Sequence, residues 1–176
     1  MREHADDDFA FLSVAMDAQG ADAPRPYAES TRGNFVTVVD ADNVLGSTFG
    51  FKAIPNGVLI SADGKVDALI ASGFEIRRDQ TRGLVEQWLA SDLPTIPEND
   101  QEHEWSDEAL RLFREAGAAL RRGERERAIE LLEEAFPLEP DNFIIRKQLW
   151  AIEHPEKFYD GDVDYAWQRE QLEAGR

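Results

Sequence analysis

The chain has 176 residues and no cysteine, and its 36 acidic and 19 basic residues give a formal net charge of −17. A chain without cysteine has no disulfide framework and performs no thiol chemistry by itself. Because so acidic a surface repels phosphate backbones and anionic lipid, we predict no nucleic-acid partner and no membrane partner. The apolar runs are too short for a membrane span and residues 1–8 are not a signal peptide, so a cytoplasmic location is expected unless an N-terminal export segment has been lost.

The first half of the chain predicts alternating strands and helices. Residues 9–16 (F-A-F-L-S-V-A-M) are nearly all apolar, which is typical of a strand buried on both faces of a parallel sheet. Residues 35–39 (F-V-T-V-V) are β-branched enough for a second strand, and Asp40 and Asp42 can cap the helix that follows. The predicted helices of this half are short ones over residues 26–32 and 44–49 and a longer one that Asp79 caps.

A β-hairpin is predicted over residues 57–72. The apolar run from Val58 to Ile60 is typical of a buried strand, and Asp63 and Gly64 supply a tight turn before the second strand. Pro55 has no N–H to donate to a ladder, so we expect it in the turn that enters the first strand.

This succession of elements resembles the thioredoxin superfamily and, within it, the TlpA-like thiol-disulfide oxidoreductase (redoxin) branch. The features that carry the resemblance are the apolar strand followed by Asp17, the strand F-V-T-V-V-D that ends at Asp40, the segment F-G-F-K-A-I-P and the hairpin V-L-I-S-A-D-G-K-V. The resemblance implies a cis peptide bond between Ile54 and Pro55. It also implies that the backbone of Ala53, Ile54 and Pro55 is where an extended peptide or a protein partner docks.

The chain departs from this family in its reactive unit. In the family, a strand and a helix with the redox C-x-x-C motif precede the strand that corresponds to residues 9–16, and residues 1–8 are too few to encode both. The implied fold class is therefore α/β, with an incomplete thioredoxin-like sheet and flanking helices, followed by an all-α helical hairpin extension. Residues 9–16 and 57–61 would both border the absent strand and have open edges.

Three arrangements would cover these edges: direct pairing of the two strands, another copy of the chain, or the absent part of a longer protein. We expect association with another copy, as a dimer, because symmetric dimers are the usual way to bury such a surface. The kinship itself requires that residues 9–16 and 58–60 belong to one sheet and that Pro55 lies at a strand entrance.

The predicted domains are a thioredoxin-like unit over residues 1–91, an acidic linker with prolines over 92–105, and a helical extension over 106–176. Ser106 is the expected N-cap of the first helix of the extension. The extension resembles one tetratricopeptide repeat through Leu112, Ala116, Ala119, Gly123, Ala128, Leu132, Ala135 and Pro140. One repeat is not stable alone, so we expect it to pack on a third helix, on the first domain or on another copy. A brace for the fold is favoured over a peptide-binding groove.

The aspartates of the last loop alternate like calcium ligands. Tyr165 stands where a calcium loop needs glycine and Gln171 where it needs glutamate, so the pattern fails. We predict instead that Asp164 caps the final helix.

No other pattern in the sequence predicts a reactive centre. The three histidines have no metal-ligand spacing and no glycine-rich phosphate loop is present, so we predict no catalytic residue, no metal and no cofactor. Two functions remain open. One is a redox-silent thioredoxin-like domain that acts in protein binding or assembly. The other is the C-terminal portion of a thiol-disulfide oxidoreductase whose catalytic cysteines lie in a missing upstream segment, so whether the chain serves an enzyme stays uncertain.

Overall fold

A computed structural model of the chain describes residues 9–31, 35–71, 73–90 and 104–175. Over these residues the protein is mixed α/β, with short strands in its first half and helices throughout its second half. The strands are β1 (Leu12–Ala15), β2 (Val36–Val39), β3 (Gly57–Ile60) and β4 (Val66–Ile70). The helices are α1 (Arg25–Ser30), α2 (Val44–Thr48), α3 (Asp79–Leu89), α4 (Asp107–Arg121), α5 (Arg125–Ala135), α6 (Phe143–Glu153) and α7 (Tyr165–Glu173).

The strands form two separate pairs. β1 runs parallel to β2, with Leu12 opposite Val36, and α1 lies in the crossover between them. β3 and β4 form an antiparallel hairpin with Gly57 opposite Ile70. Gly64 has a φ of 83° in the hairpin turn, a conformation that glycine adopts without a steric penalty, as the sequence predicted.

The separation of the two pairs corrects one expectation. Within the described residues β1 and β3 belong to different two-stranded sheets, so residues 9–16 and 58–60 do not share a sheet. β1 and β3 do not pair with each other, and no described strand lies between them to join the two sheets. The other requirement of the kinship is met, because Pro55 lies two residues before β3 and the Ile54–Pro55 bond is cis.

One face of the parallel pair is exposed, which also corrects the prediction for β1. Alternate residues of a strand point to the same face, so the apolar residues at matching positions of β1 and β2 lie side by side. These are Leu12, Val14, Val36 and Val38, which are between 38% and 64% exposed. The expected burial on both faces fails because no layer covers this face in the described part of the chain.

The hydrophobic core lies in the helical half. α4 and α5 pack as a helical hairpin joined at Gly123, which has a φ of 78°, and α6 packs on α5. The core is made largely of Ala109, Leu112, Phe113, Ala116, Ala119, Ala128, Leu131, Leu132, Ala135, Ile144, Ile145 and Ile152. The hairpin thus packs on a third helix, which is one of the three supports expected for it.

Helix starts follow the predicted capping residues in several places. The Ser106 hydroxyl accepts from the Ala109 N–H at 3.3 Å, and Asp164 accepts from the Trp167 N–H at 2.9 Å. The Asp40 carboxylate accepts three N–H groups at the start of α2, at 2.7 to 3.2 Å. Asp79 was expected to cap α3, but it is the first residue of that helix. Arg78 is at the N-cap position, and no side chain caps the helix there.

The last residue of the predicted linker, Trp105, packs with the helical half. Residues 92–103 of that linker lie outside the described residues. Trp105 is buried and its ring meets that of Phe113 edge-on, with 5.6 Å between ring centroids. Trp105 therefore belongs to the helical core, which begins before the Ser106 cap.

The helical half also packs on the first half. Ala18, directly after the end of β1, is fully buried in the helical core cluster. Arg121 of α4 forms an ion pair of 3.0 Å with Asp42, and Arg114 donates to the Asp42 carbonyl at 3.2 Å. Such contacts are those of a brace between the two halves, which the sequence favoured over a free groove.

Candidate binding site

The predicted site is the turn formed by Ala53, Ile54 and Pro55, named here the 53–55 turn. The Ile54 side chain is 50% exposed, and Pro55 is also exposed. The Ala53 carbonyl accepts from the side-chain amide of Asn56, and the Pro55 carbonyl accepts from the Phe74 N–H at 3.1 Å. The turn is therefore fixed on its C-terminal side and presents an apolar side chain to solvent.

Phe74 also sets the shape of the strand entrance. A Cβ built on Gly57 would lie 2.4 Å from Cδ2 of the Phe74 ring, far closer than atoms in contact can approach. Glycine at the first position of β3 thus lets the ring lie directly on the strand. Residues 57 and 74 are too far apart in the chain for a local sequence pattern to predict this contact.

The segment before the turn is held by the helical half. The Trp105 indole donates to the Phe51 carbonyl at 3.0 Å, and the Ile144 N–H donates to the Lys52 carbonyl at 3.2 Å. The Lys52 ammonium pairs with the Glu139 carboxylate at 2.7 Å. The sequence does not predict these contacts, because residues so far apart in the chain carry no local signal that they pair.

The end of β1 docks on the same helix as that segment. The Gln148 side chain of α6 accepts from the Ala18 N–H at 2.8 Å and donates to the Met16 carbonyl at 3.3 Å. Gln148 follows Ile144 by one helical turn, which corresponds to about 6 Å along the helix axis. The end of β1 and the segment before β3 are thus neighbours on α6, although no hydrogen bond joins the two strands.

A buried carboxylate lies beside this contact. Asp17 accepts from the Gln19 N–H at 2.9 Å and from the Tyr159 hydroxyl at 2.8 Å. Burial raises the pKa of Asp17, and these two hydrogen bonds partly oppose the rise. Burial, followed by the charge and the hydrogen bond of Asp17, raises the pKa of Tyr159. The pair can serve as a polar lock between the halves, and the sequence had predicted only that Asp17 follows a strand.

The described residues offer little for other kinds of site. Among them, no cluster of three or more histidine, cysteine, aspartate or glutamate side chains could hold a metal ion. A search of the same residues for a helix with the length and apolarity of a membrane span found none.

Comparisons of the chain with protein-family models, with curated proteins and with solved structures found no match. The geometry of the 53–55 turn and of the exposed strands is therefore the basis for any statement about function.

Proposed function

We propose that the chain is a redox-silent module for protein binding or assembly, and that it holds an extended polypeptide segment at the 53–55 turn. The observation that carries this proposal is that β3, which follows the turn, pairs on one edge only in the described part of the chain. A strand edge offers main-chain donors and acceptors to an incoming extended segment, and side-chain contacts then give specificity.

The chemistry of the surface limits the kind of segment that fits. Ile54 beside the strand entrance favours an apolar side chain on the partner. The net charge of −17 disfavours an acidic partner and favours a neutral or basic one. We therefore propose an extended, apolar segment with few acidic residues as the ligand.

Peptide binding tests this proposal directly. A set of fluorescently labelled ten-residue peptides with alternating apolar residues, either neutral or with added lysines, is titrated with the chain and followed by anisotropy. Ile54→Asp places a charge in the contact and is expected to weaken binding by about tenfold or more. The matched control is Leu172→Asp, an exposed apolar residue on α7, which should bind as the unmodified chain does. Equal affinity of Ile54→Asp and the unmodified chain would contradict the proposal.

Association with another copy forms the assembly part of the proposal. The exposed apolar face of β1 and β2 supports it, because parallel sheets are normally covered on both faces. We expect light scattering coupled to size exclusion to give a dimer at micromolar concentration. Leu12→Lys combined with Val36→Lys should shift the dimer to a monomer, whereas Leu172→Lys should not. A monomer of the unmodified chain would count against this part.

A second candidate function is favoured by the same exposed face. A parallel strand followed by a helix would pair with an open strand edge and cover the apolar residues of β1 and β2. If that unit carried a C-x-x-C motif, the chain would be the C-terminal portion of a thiol-disulfide oxidoreductase. Translating the coding strand upstream of Met1 in all frames tests this candidate, and an in-frame strand-helix unit with that motif would favour it. The chain alone has no thiolate to attack a disulfide, so it should not reduce insulin above the blank rate.

A further inference from the structure

We propose that the helical half positions the 53–55 turn for its partner through the ion pair between Lys52 and Glu139, an inference that rests on the proposed function. Positioning here means that the contacts hold the backbone of the turn in one geometry before any partner arrives.

The ion pair is largely shielded from water and has a fixed geometry. The side chains of Lys52 and Glu139 are 24% and 8% exposed, and their charged groups lie 2.7 Å apart. The other oxygen of Glu139 accepts from the Ser106 N–H at 2.7 Å, at the start of α4. With both oxygens engaged, the carboxylate has one orientation, and it holds the ammonium of Lys52 in one place.

The two carbonyl groups before the turn are fixed by the same region of the helical half. Trp105 holds the Phe51 carbonyl and the first turn of α6 holds the Lys52 carbonyl. At the last residue of the turn, the Phe74 N–H holds the Pro55 carbonyl. Only two residues, Ala53 and Ile54, lie between these anchors, so the free turn has little backbone freedom to lose on binding.

The ion pair is the anchor that a substitution can remove without deleting a core ring or a backbone donor. Lys52→Met removes the cation and leaves one oxygen of the shielded Glu139 carboxylate without its charged partner, which favours displacement of the segment. Glu139→Gln keeps an acceptor for Ser106 but places an amide against the ammonium. Lys52→Arg retains the positive charge and is the rescue variant. A matched control is Arg122→Met, which breaks an exposed ion pair with Glu124 at 2.6 Å, away from the turn.

Amide hydrogen exchange without any peptide present tests the positioning role. We expect Lys52→Met and Glu139→Gln to speed exchange of the Phe74 amide, which donates to the Pro55 carbonyl, by about tenfold, while residues 112–119 in the core of α4 keep their exchange rates. Lys52→Arg should restore slow exchange, and Arg122→Met should exchange as the unmodified chain does. Unchanged exchange of the Phe74 amide would overturn the inference, and so would an equal acceleration at Phe74 and at residues 112–119, since that is the result of a purely structural brace.

Peptide titration then separates this inference from the proposed function. If both hold, Lys52→Met weakens peptide binding and Lys52→Arg binds as the unmodified chain does. If the unmodified chain binds none of the peptides, the proposed function fails, whereas the exchange measurement still decides whether the ion pair orders the turn. If the chain binds peptide and Lys52→Met binds it equally well, the positioning role is overturned and the proposed function stands.

Discussion

The hydroxyl of Tyr159 donates a hydrogen bond of 2.8 Å to the buried carboxylate of Asp17. Asp17 follows β1, and Tyr159 lies between α6 and α7, so the bond joins the two halves of the chain. The Gln19 side-chain amide donates to the same hydroxyl at 2.8 Å, which fixes the direction in which Tyr159 donates. Each member of this network therefore depends on the others for its partner.

Removing the Tyr159 hydroxyl should weaken the link between the halves. Tyr159→Phe leaves the shielded Asp17 carboxylate without one donor and the Gln19 amide without its acceptor. We expect a loss of about 1–3 kcal/mol in the free energy of unfolding, measured by denaturant titration. The matched control is Tyr165→Phe, whose ring is 65% exposed and which should be close to neutral. Equal midpoints for Tyr159→Phe and the unmodified chain would contradict the role of the bond.

The raised pKa of Asp17 makes a prediction about pH. A carboxyl whose pKa is higher in the folded than in the unfolded state binds its proton more tightly when folded. The contribution of Asp17 to the free energy of unfolding therefore increases as the pH falls from neutral toward the ordinary pKa of 3.8, and it does not change further below that value. The side chain of the Asp17→Asn variant does not bind a proton in this pH range, so it lacks this contribution. The difference in unfolding free energy between the unmodified chain and Asp17→Asn should thus shift in favour of the unmodified chain between about pH 7 and about pH 4. A difference that stays constant with pH would show that burial does not raise this pKa.

Local signals in the sequence predicted several parts of this fold correctly. The carboxylate of Asp40 and the hydroxyl of Ser106 cap helices as expected, because capping depends on residues three to six positions apart. Gly64 and Pro55 likewise mark their turns through their own backbone preferences. The turn of the candidate site was therefore predictable in position.

Long-range relationships were not predictable in the same way. An apolar run such as residues 9–16 indicates a strand, but whether its faces are buried depends on layers from elsewhere, and the Leu12 face is exposed. The ion pair of Lys52 with Glu139 joins residues from different halves of the chain. Nothing in the sequence around either residue distinguishes it from a charged residue exposed to solvent. The supports of the candidate site thus became visible only in the fold.

Gln148 should be needed for the contact between β1 and α6. Gln148→Leu keeps the approximate size but removes both the acceptor for the Ala18 N–H and the donor to the Met16 carbonyl. Since a shielded backbone group without a partner costs about 1–3 kcal/mol, we expect a loss of that order in the free energy of unfolding. Gln87→Leu, on the exposed side of α3, is the control and should be nearly neutral. A neutral Gln148→Leu would mean that water replaces the side chain at this contact.

Two glycines of the first half should respond to alanine in opposite directions. Gly83→Ala adds a methyl group inside α3 where, apart from the adjoining residues and the backbone of its own helix, no atom lies within 4 Å, and it should raise the free energy of unfolding by about 0.5–1 kcal/mol through helix propensity. Gly57→Ala places a methyl group 2.4 Å from the Phe74 ring, so the ring must move off β3. Overpacking of this kind costs about 1–3 kcal/mol, and displacement of Phe74 also strains its hydrogen bond to the Pro55 carbonyl. Thermal unfolding of the two variants shows whether each substitution raises or lowers the stability of the fold. A stabilising Gly57→Ala would show that the Phe74 ring does not lie on the entrance of β3.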